Sequence, residues 1–163
     1  MAIVIVRTRR PPDIYLEQIA ELNNIEGFPV TAPTLLRRLE TLPHDDRLLL
    51  AVDGESLLGY AHLHTSCDLV NEVSAEVALL IVRPDHRRHG IGRTLVAAAE
   101  TWARQSDCAR LLLRTDVVRT SAHAFFVALG YQEAATTLEF VRDLSRSRLS
   151  DAPTIPLAPD QAL

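Results

Sequence analysis

One stretch constrains this chain more than any other. From Ser74 to Arg83 the sequence reads SAEVALLIVR, rich in branched apolar residues, and it stops at Pro84, which cannot continue a central ladder. A basic loop carrying Gly90 and Gly92 follows and leads straight into a helical pattern whose apolar face is Ile91, Leu95, Val96, Ala98, Ala99 and Trp102. Ala109 to Leu113 is a second buried strand. Strand, helix, strand at this spacing is a crossover unit, expected to be right-handed with its two strands parallel.

The remaining segments fit around that unit. Ala2 to Val6 reads as a strand. Pro11-Pro12-Asp13 then opens a helix in which Ile14, Leu16, Ile19, Ala20 and Leu22 recur at helical spacing. Thr31 starts a second, shorter helix through Leu42, stopped by Pro43. Arg47 to Val52 and Leu57 to Thr65 form a hairpin around Asp53-Gly54. A helix from Thr120 to Leu129 ends at Gly130, and Thr136 to Arg142 reads as a closing strand. The fold class expected is α/β, of the mixed α+β kind. Residues 1–144 form the expected domain, and 145–163, polar and proline-rich, a flexible tail outside the core.

Composition narrows the function. All 17 basic residues are arginine, and a Walker phosphate loop needs lysine, so that chemistry is excluded. A net charge of -4 gives no general attraction to nucleic acid, although arginines cluster between Arg83 and Arg93. No apolar run is long enough to span a membrane. MAIVIVRTRR places apolar residues before charges, the reverse of a secretory signal. Two cysteines, Cys67 and Cys108, make neither a disulfide framework nor a zinc ribbon. A reducing, cytoplasmic setting without membrane or nucleic-acid partners is expected.

The arginine cluster has its own physical reading, an anion receptor. The first turn of a helix leaves backbone N–H groups unpaired, its dipole adds positive potential, and Gly90 and Gly92 let a ligand approach the backbone. Arg87, Arg88 and Arg93 add charge suited to a pyrophosphate. A Rossmann dinucleotide loop fits less well: the third glycine position is Leu95, the glycines lie well beyond the strand end, and position 110, where a ribose-binding carboxylate belongs, is arginine.

Arg87-Arg88-His89-Gly90-Ile91-Gly92 resembles the pyrophosphate signature [RQ]-x-x-G-x-[GA] of the GNAT superfamily of acetyl-CoA-dependent N-acetyltransferases. The strand before it, the helix after it and the stretch Ser121 to Tyr131 look like that family's blocks in family order. The resemblance covers residues 2–142, most specifically 74–131. It implies a twisted mixed sheet whose central parallel strands splay apart to receive the pantetheine arm of acetyl-CoA. Leu80, Ile81 and Val82 would then bond that arm through their main chain. Arg87, Arg88, His89, Gly90, Ile91, Gly92 and Arg93 would hold the pyrophosphate, and the helix bearing Ser121 and Phe126 would flank the cofactor.

For catalysis the resemblance points to Glu76, which falls where some members carry a general-base glutamate; a solvent-facing edge carboxylate is the plain alternative. Phe126 stands where many relatives have a tyrosine acid, and Arg119 where they have an asparagine. His62 and His64, at i and i+2 on a strand, share a face, but no third ligand accompanies them and no metal is expected. His123 could shuttle a proton or simply cap a helix. Trp102 reads as core.

The function expected is transfer of an acetyl group from acetyl-CoA to a primary amine, by direct attack in a ternary complex. A small-molecule acceptor is favoured. Glu55, Asp68, Glu72 and Glu76 would make the acceptor side acidic and suit a cationic amine. The alternatives are a protein N-terminal or lysine acetyltransferase and a non-catalytic acyl-CoA sensor. A homodimer is compatible with the sequence.

Overall fold

The computed structural model describes residues 2–116 and 118–143. Residues up to Gly130 form one unit, and those from Tyr131 a second. The expected tail, 145–163, lies outside the described residues.

In the first unit the chain runs β1 (Val4–Thr8), α1 (Asp13–Ile25), α2 (Ala32–Thr41), β2 (Arg47–Asp53), β3 (Ser56–Ser66), β4 (Ser74–Val82), a 3-10 turn at Pro84–His86, α3 (Ile91–Gln105), β5 (Arg110–Leu113) and α4 (Thr120–Ala128). Local chemistry accounts for most boundaries. Thr31 caps α2 by accepting the Thr34 backbone N–H at 3.4 Å. Gly54, at φ +58°, supplies the left-handed residue that the β2–β3 turn needs. The first strand begins two residues later than its composition suggests. In the second unit no strand occurs over 131–143, and the β pattern of Thr136 to Arg142 is not realised. Leu138, Phe140 and Val141 are exposed, and alternation without a paired neighbour does not make a strand.

The strands form one sheet in the order β1-β2-β3-β4-β5, antiparallel except for the parallel β4–β5 pair. One face packs on α3, with Leu49, Ala61, Leu63, Ala75 and Val77 against Ile91, Leu95, Ala99 and Trp102. The other packs on α1, with Leu48, Leu50, Leu57, Tyr60 and Ile81 against Ile19 and Leu22. Each fully buried leucine or isoleucine contributes about 1.5–3 kcal/mol through burial, so both faces hold the central strands rigid.

The β3–β4 register skips one residue: Leu63 faces Val77 and His62 faces Leu79, leaving Ala78 as a bulge. Because side chains alternate, the extra residue exchanges the faces. Ala75 and Val77 point toward α3 before it, and Leu80 and Val82 do so after it. Glu76, Leu79 and Ile81 are thereby placed on the α1 side.

Candidate active site

Pairing between β4 and β5 covers only Ser74–Val77 against Arg110–Leu113. β5 ends there, while β4 continues through Ala78 to Val82, bonded to β3 alone. The expected splay is thus present, and the bulge lies at the fork. Along Leu80, Ile81 and Val82 the β5-facing edge has no ladder partner among the described residues. Such an edge offers backbone donors and acceptors to an extended amide chain. Gly59, opposite Val82, makes the close approach of β3 possible: a Cβ there would stand 2.7 Å from the Ile81 carbonyl oxygen. A glycine inside a strand pattern is the signal that could have marked it.

Beyond Val82 the chain reaches the N-terminus of α3. Gly90 is its N-cap at φ +82°, a backbone conformation suited to glycine, and as glycine it offers the helix no capping side chain. The first-turn N–H groups of Ile91, Gly92 and Arg93 have no intrahelical acceptor. Space beside Gly90 is open, with nothing within 4 Å of an added Cβ. Arg88 also takes a left-handed φ, 66°, so the loop turns twice within three residues. Arg88, His89 and Arg93 border the helix start; Arg87 is held differently. Its Nε donates to the Val82 carbonyl at 3.1 Å and its guanidinium pairs with Glu26. Arg87 therefore ties the loop to the end of β4 and to α1.

Gly92 faces α4, not open space: an added Cβ would lie 3.1 Å from the Phe125 ring. Phe126 packs against Phe125 with ring centroids 5.4 Å apart. Ser121 is exposed on the first turn of α4. His123 reaches back to the Asp116 carbonyl, Nε2 to O 3.0 Å, and so steadies the loop before α4. Arg119 lies over the Phe28 ring at 6.0 Å, linking the start of α4 to the α1–α2 connection.

On the α1 side two carboxylate–imidazole pairs share one face, with His62 and His64 on β3, Glu76 on β4 and Asp46 on the loop before β2. Glu76, 8% exposed, has Oε1 3.0 Å from Arg114 Nε and Oε2 3.5 Å from His64 Nε2. Arg114 directly follows β5, so this ion pair braces the fork. The second pair, His62 Nε2 to Asp46 Oδ2 at 2.8 Å, is tighter, and Asp46 is 6% exposed. The two imidazole centroids are 6.3 Å apart. Asp46 escaped sequence reasoning because His44-Asp45-Asp46 reads as an ordinary polar turn. Tyr60, on the same face, donates to Asn23 Oδ1 at 2.8 Å; burial pushes its phenol up to about 12, so it stays protonated. Among the described residues no group of three or more His, Cys, Asp or Glu side chains is placed to hold a metal ion. No helix among them is long and apolar enough to cross a membrane.

A forked parallel pair with an uncapped helix N-terminus beyond it is the architecture of an acyltransferase. The chain belongs to the GNAT acetyltransferase family, whose model matches residues 14–131. It is 34% identical over 104 residues to an aminoglycoside N(6')-acetyltransferase type 1 of Stenotrophomonas maltophilia, covering 61% of this chain and 67% of that one. A protein of the same name from Acinetobacter baumannii is 28% identical over 113 residues, 67% of this chain and 77% of the relative. Among solved structures, AAC(6')-Iy in complex with the bisubstrate analog CoA-S-monomethyl-acetylneamine superposes with a TM-score of 0.74 at 19% identity, over 88% of this chain and 99% of that one.

Proposed function

We propose that this protein transfers an acetyl group from acetyl-CoA to the primary amine of a small molecule, by direct attack within a ternary complex. The observation that carries this reading is the continuity of two binding surfaces: the unpaired edge of β4 at Leu80–Val82 runs toward the uncapped N-terminus of α3. The first suits the amides of a pantetheine arm, and the second its pyrophosphate. The residues fit the group. In this assignment the backbone of Arg88, His89, Gly90, Ile91, Gly92 and Arg93 binds the pyrophosphate, and the Arg88 and Arg93 side chains add charge. Arg87 holds the loop in shape, while Ser121 and Phe126 on α4 flank the cofactor.

Acetyl-CoA, when bound, supplies an activated acyl carbon with a thiol leaving group. The chain's own residues have three tasks. Main-chain groups of β4 orient the thioester, and a free N–H there polarises its carbonyl. Alignment of amine and thioester accounts for much of the acceleration, on the order of 7 kcal/mol or more. The amine's proton is received within the carboxylate–imidazole strip formed by β3, β4 and Asp46, of which Glu76 is the member the sequence points to. Its oxygens are engaged by Arg114 and His64, so taking a proton there directly displaces a partner. Neither metal, nucleic acid nor membrane enters the proposed reaction, which we place in the cytoplasm.

Titration with acetyl-CoA followed by calorimetry, then thiol release with a panel of amines, tests the proposal. Saturable binding with amine-dependent thiol release is expected. Binding without release would favour an acyl-CoA sensor, and stabilisation by NADH or ATP but not by acetyl-CoA would overturn the cofactor assignment.

A further inference from the structure

A cavity of about 270 Å³ lies between α1, α2 and the sheet. Nine of its thirteen lining residues are aliphatic or aromatic hydrocarbons, among them Leu16, Ile19, Leu39 and Leu79. The polar members are Asn23, Arg38, Tyr60 and His62. Asn23 and Tyr60 satisfy one another, and Arg38 is exposed at the rim. That leaves His62 as the buried wall's reactive group.

Its chemistry is set by its partner. Asp46 has no proton to give as a carboxylate, so the 2.8 Å contact assigns the hydrogen to His62 Nε2 and leaves Nδ1 as an acceptor. Among the described residues Nδ1 has no partner. The position is also right. His62 pairs across the strands with Leu79, the first residue of β4 past the bulge, whose side chain lines the cavity while its main chain lies beyond the last β4–β5 pair. Phe28, another lining residue, is overlaid by Arg119 at the start of α4, so one end of the cavity lies toward that helix.

We infer that this cavity is the acceptor site, that it takes a primary amine with a compact apolar body, and that His62, held by Asp46, receives the amine's proton. The inference rests on the acetyltransferase reading above. The ammonium gives one proton to Nδ1. The freed nitrogen pair bonds the acyl carbon as the carbon–sulfur bond breaks, and the second N–H proton leaves with the thiol. The imidazolium then loses its proton to solvent. The charged and titratable groups facing His62 are Asp46 from the loop before β2, Arg38 from α2, Tyr60 and His64 from β3, with Glu76 on β4 beyond His64. A site of this kind would not accommodate a polyhydroxylated, polycationic acceptor, whose polar groups would be buried unpaired.

The test uses the full chain with 2-phenylethylamine, 3-methylbutylamine, methylamine and neamine. The apolar amines are expected to give the highest kcat/KM. His62→Gln keeps a donor for Asp46 but removes the basic nitrogen. It should lower kcat for 2-phenylethylamine about 100-fold, abolish the acid limb of the pH profile and leave acetyl-CoA affinity unchanged. Leu39→Phe should fill the cavity and raise KM for 2-phenylethylamine at least tenfold more than KM for methylamine. Turnover of neamine alone, or a His62→Gln enzyme within threefold of wild type with the same pH profile, overturns the inference and leaves the acetyltransferase reading standing. Failure to bind acetyl-CoA at all overturns both.

Discussion

Gly92 stands against Phe125, its absent side chain leaving just the room that the ring on α4 occupies: a methyl group there would come within 3.1 Å of the ring's ζ carbon. Gly90, two residues earlier, has open space and a left-handed backbone. One glycine serves packing and the other conformation, so their substitutions separate. Gly92→Ala forces α4 outward by a few tenths of an ångström and should cost up to about 1 kcal/mol in urea unfolding, with weakened acetyl-CoA binding. Gly90→Ala should cost about 1–2 kcal/mol through backbone strain alone. Adding a carboxylate at the same place, Gly90→Glu, should leave stability near that of the alanine variant and reduce acetyl-CoA affinity far more. Equal affinities for the two Gly90 variants would show that no polyanion binds there.

Arg88 adopts φ 66° without being glycine. Replacing it by glycine relieves strain but adds freedom to the unfolded chain, so stability should be unchanged or rise by up to about 1 kcal/mol. Acetyl-CoA affinity should nevertheless fall, and its dependence on salt should become shallower. A stability gain with undiminished affinity would remove Arg88 from the binding loop.

Glu76 offers a way to divide structure from chemistry. Glu76→Gln removes the charge that pairs with Arg114 and His64 and should destabilise the protein by about 1–3 kcal/mol, measured by thermal or urea unfolding. With His62 as proton acceptor, turnover should fall less than tenfold. A loss of 100-fold or more, at unchanged acetyl-CoA affinity, would return the proton to Glu76.

Burial raises the Tyr60 phenol from 10.0 to about 12. The folded state therefore keeps its proton over a range in which the unfolded chain gives its own up. The resulting stability is fully present below pH 10 and is lost as pH rises toward 12, by roughly 2–3 kcal/mol. Urea unfolding of Tyr60→Phe across this range should show a shallower decline than wild type. Parallel curves would mean that the phenol is hydrated in the native state.

The strand–loop–helix unit was legible from sequence, because a branched apolar strand ending at proline, two glycines and an amphipathic helix are all local signals; the fork was expected only from the family resemblance. So were most helix and strand positions and the core place of Trp102, which is 5% exposed. Glu76 could be named but not interpreted: its neighbours Arg114 and His64 are distant in sequence, and only the β3–β4 and β4–β5 registers bring them together. The pairing of His62 with Leu79 was likewise hidden, since it depends on the Ala78 bulge, which leaves no mark in composition.

Sequence by itself determined most elements up to Gly130, their order and the glycine-bearing basic loop before α3, each of which depends on contacts within a few residues. Tertiary structure decided which side chains share a face. A one-residue bulge reverses the alternation of β4, and the choice between a brace and a base depends on which distant carboxylate reaches each imidazole. The fold sets those distances, and periodicity along the chain carries no record of them.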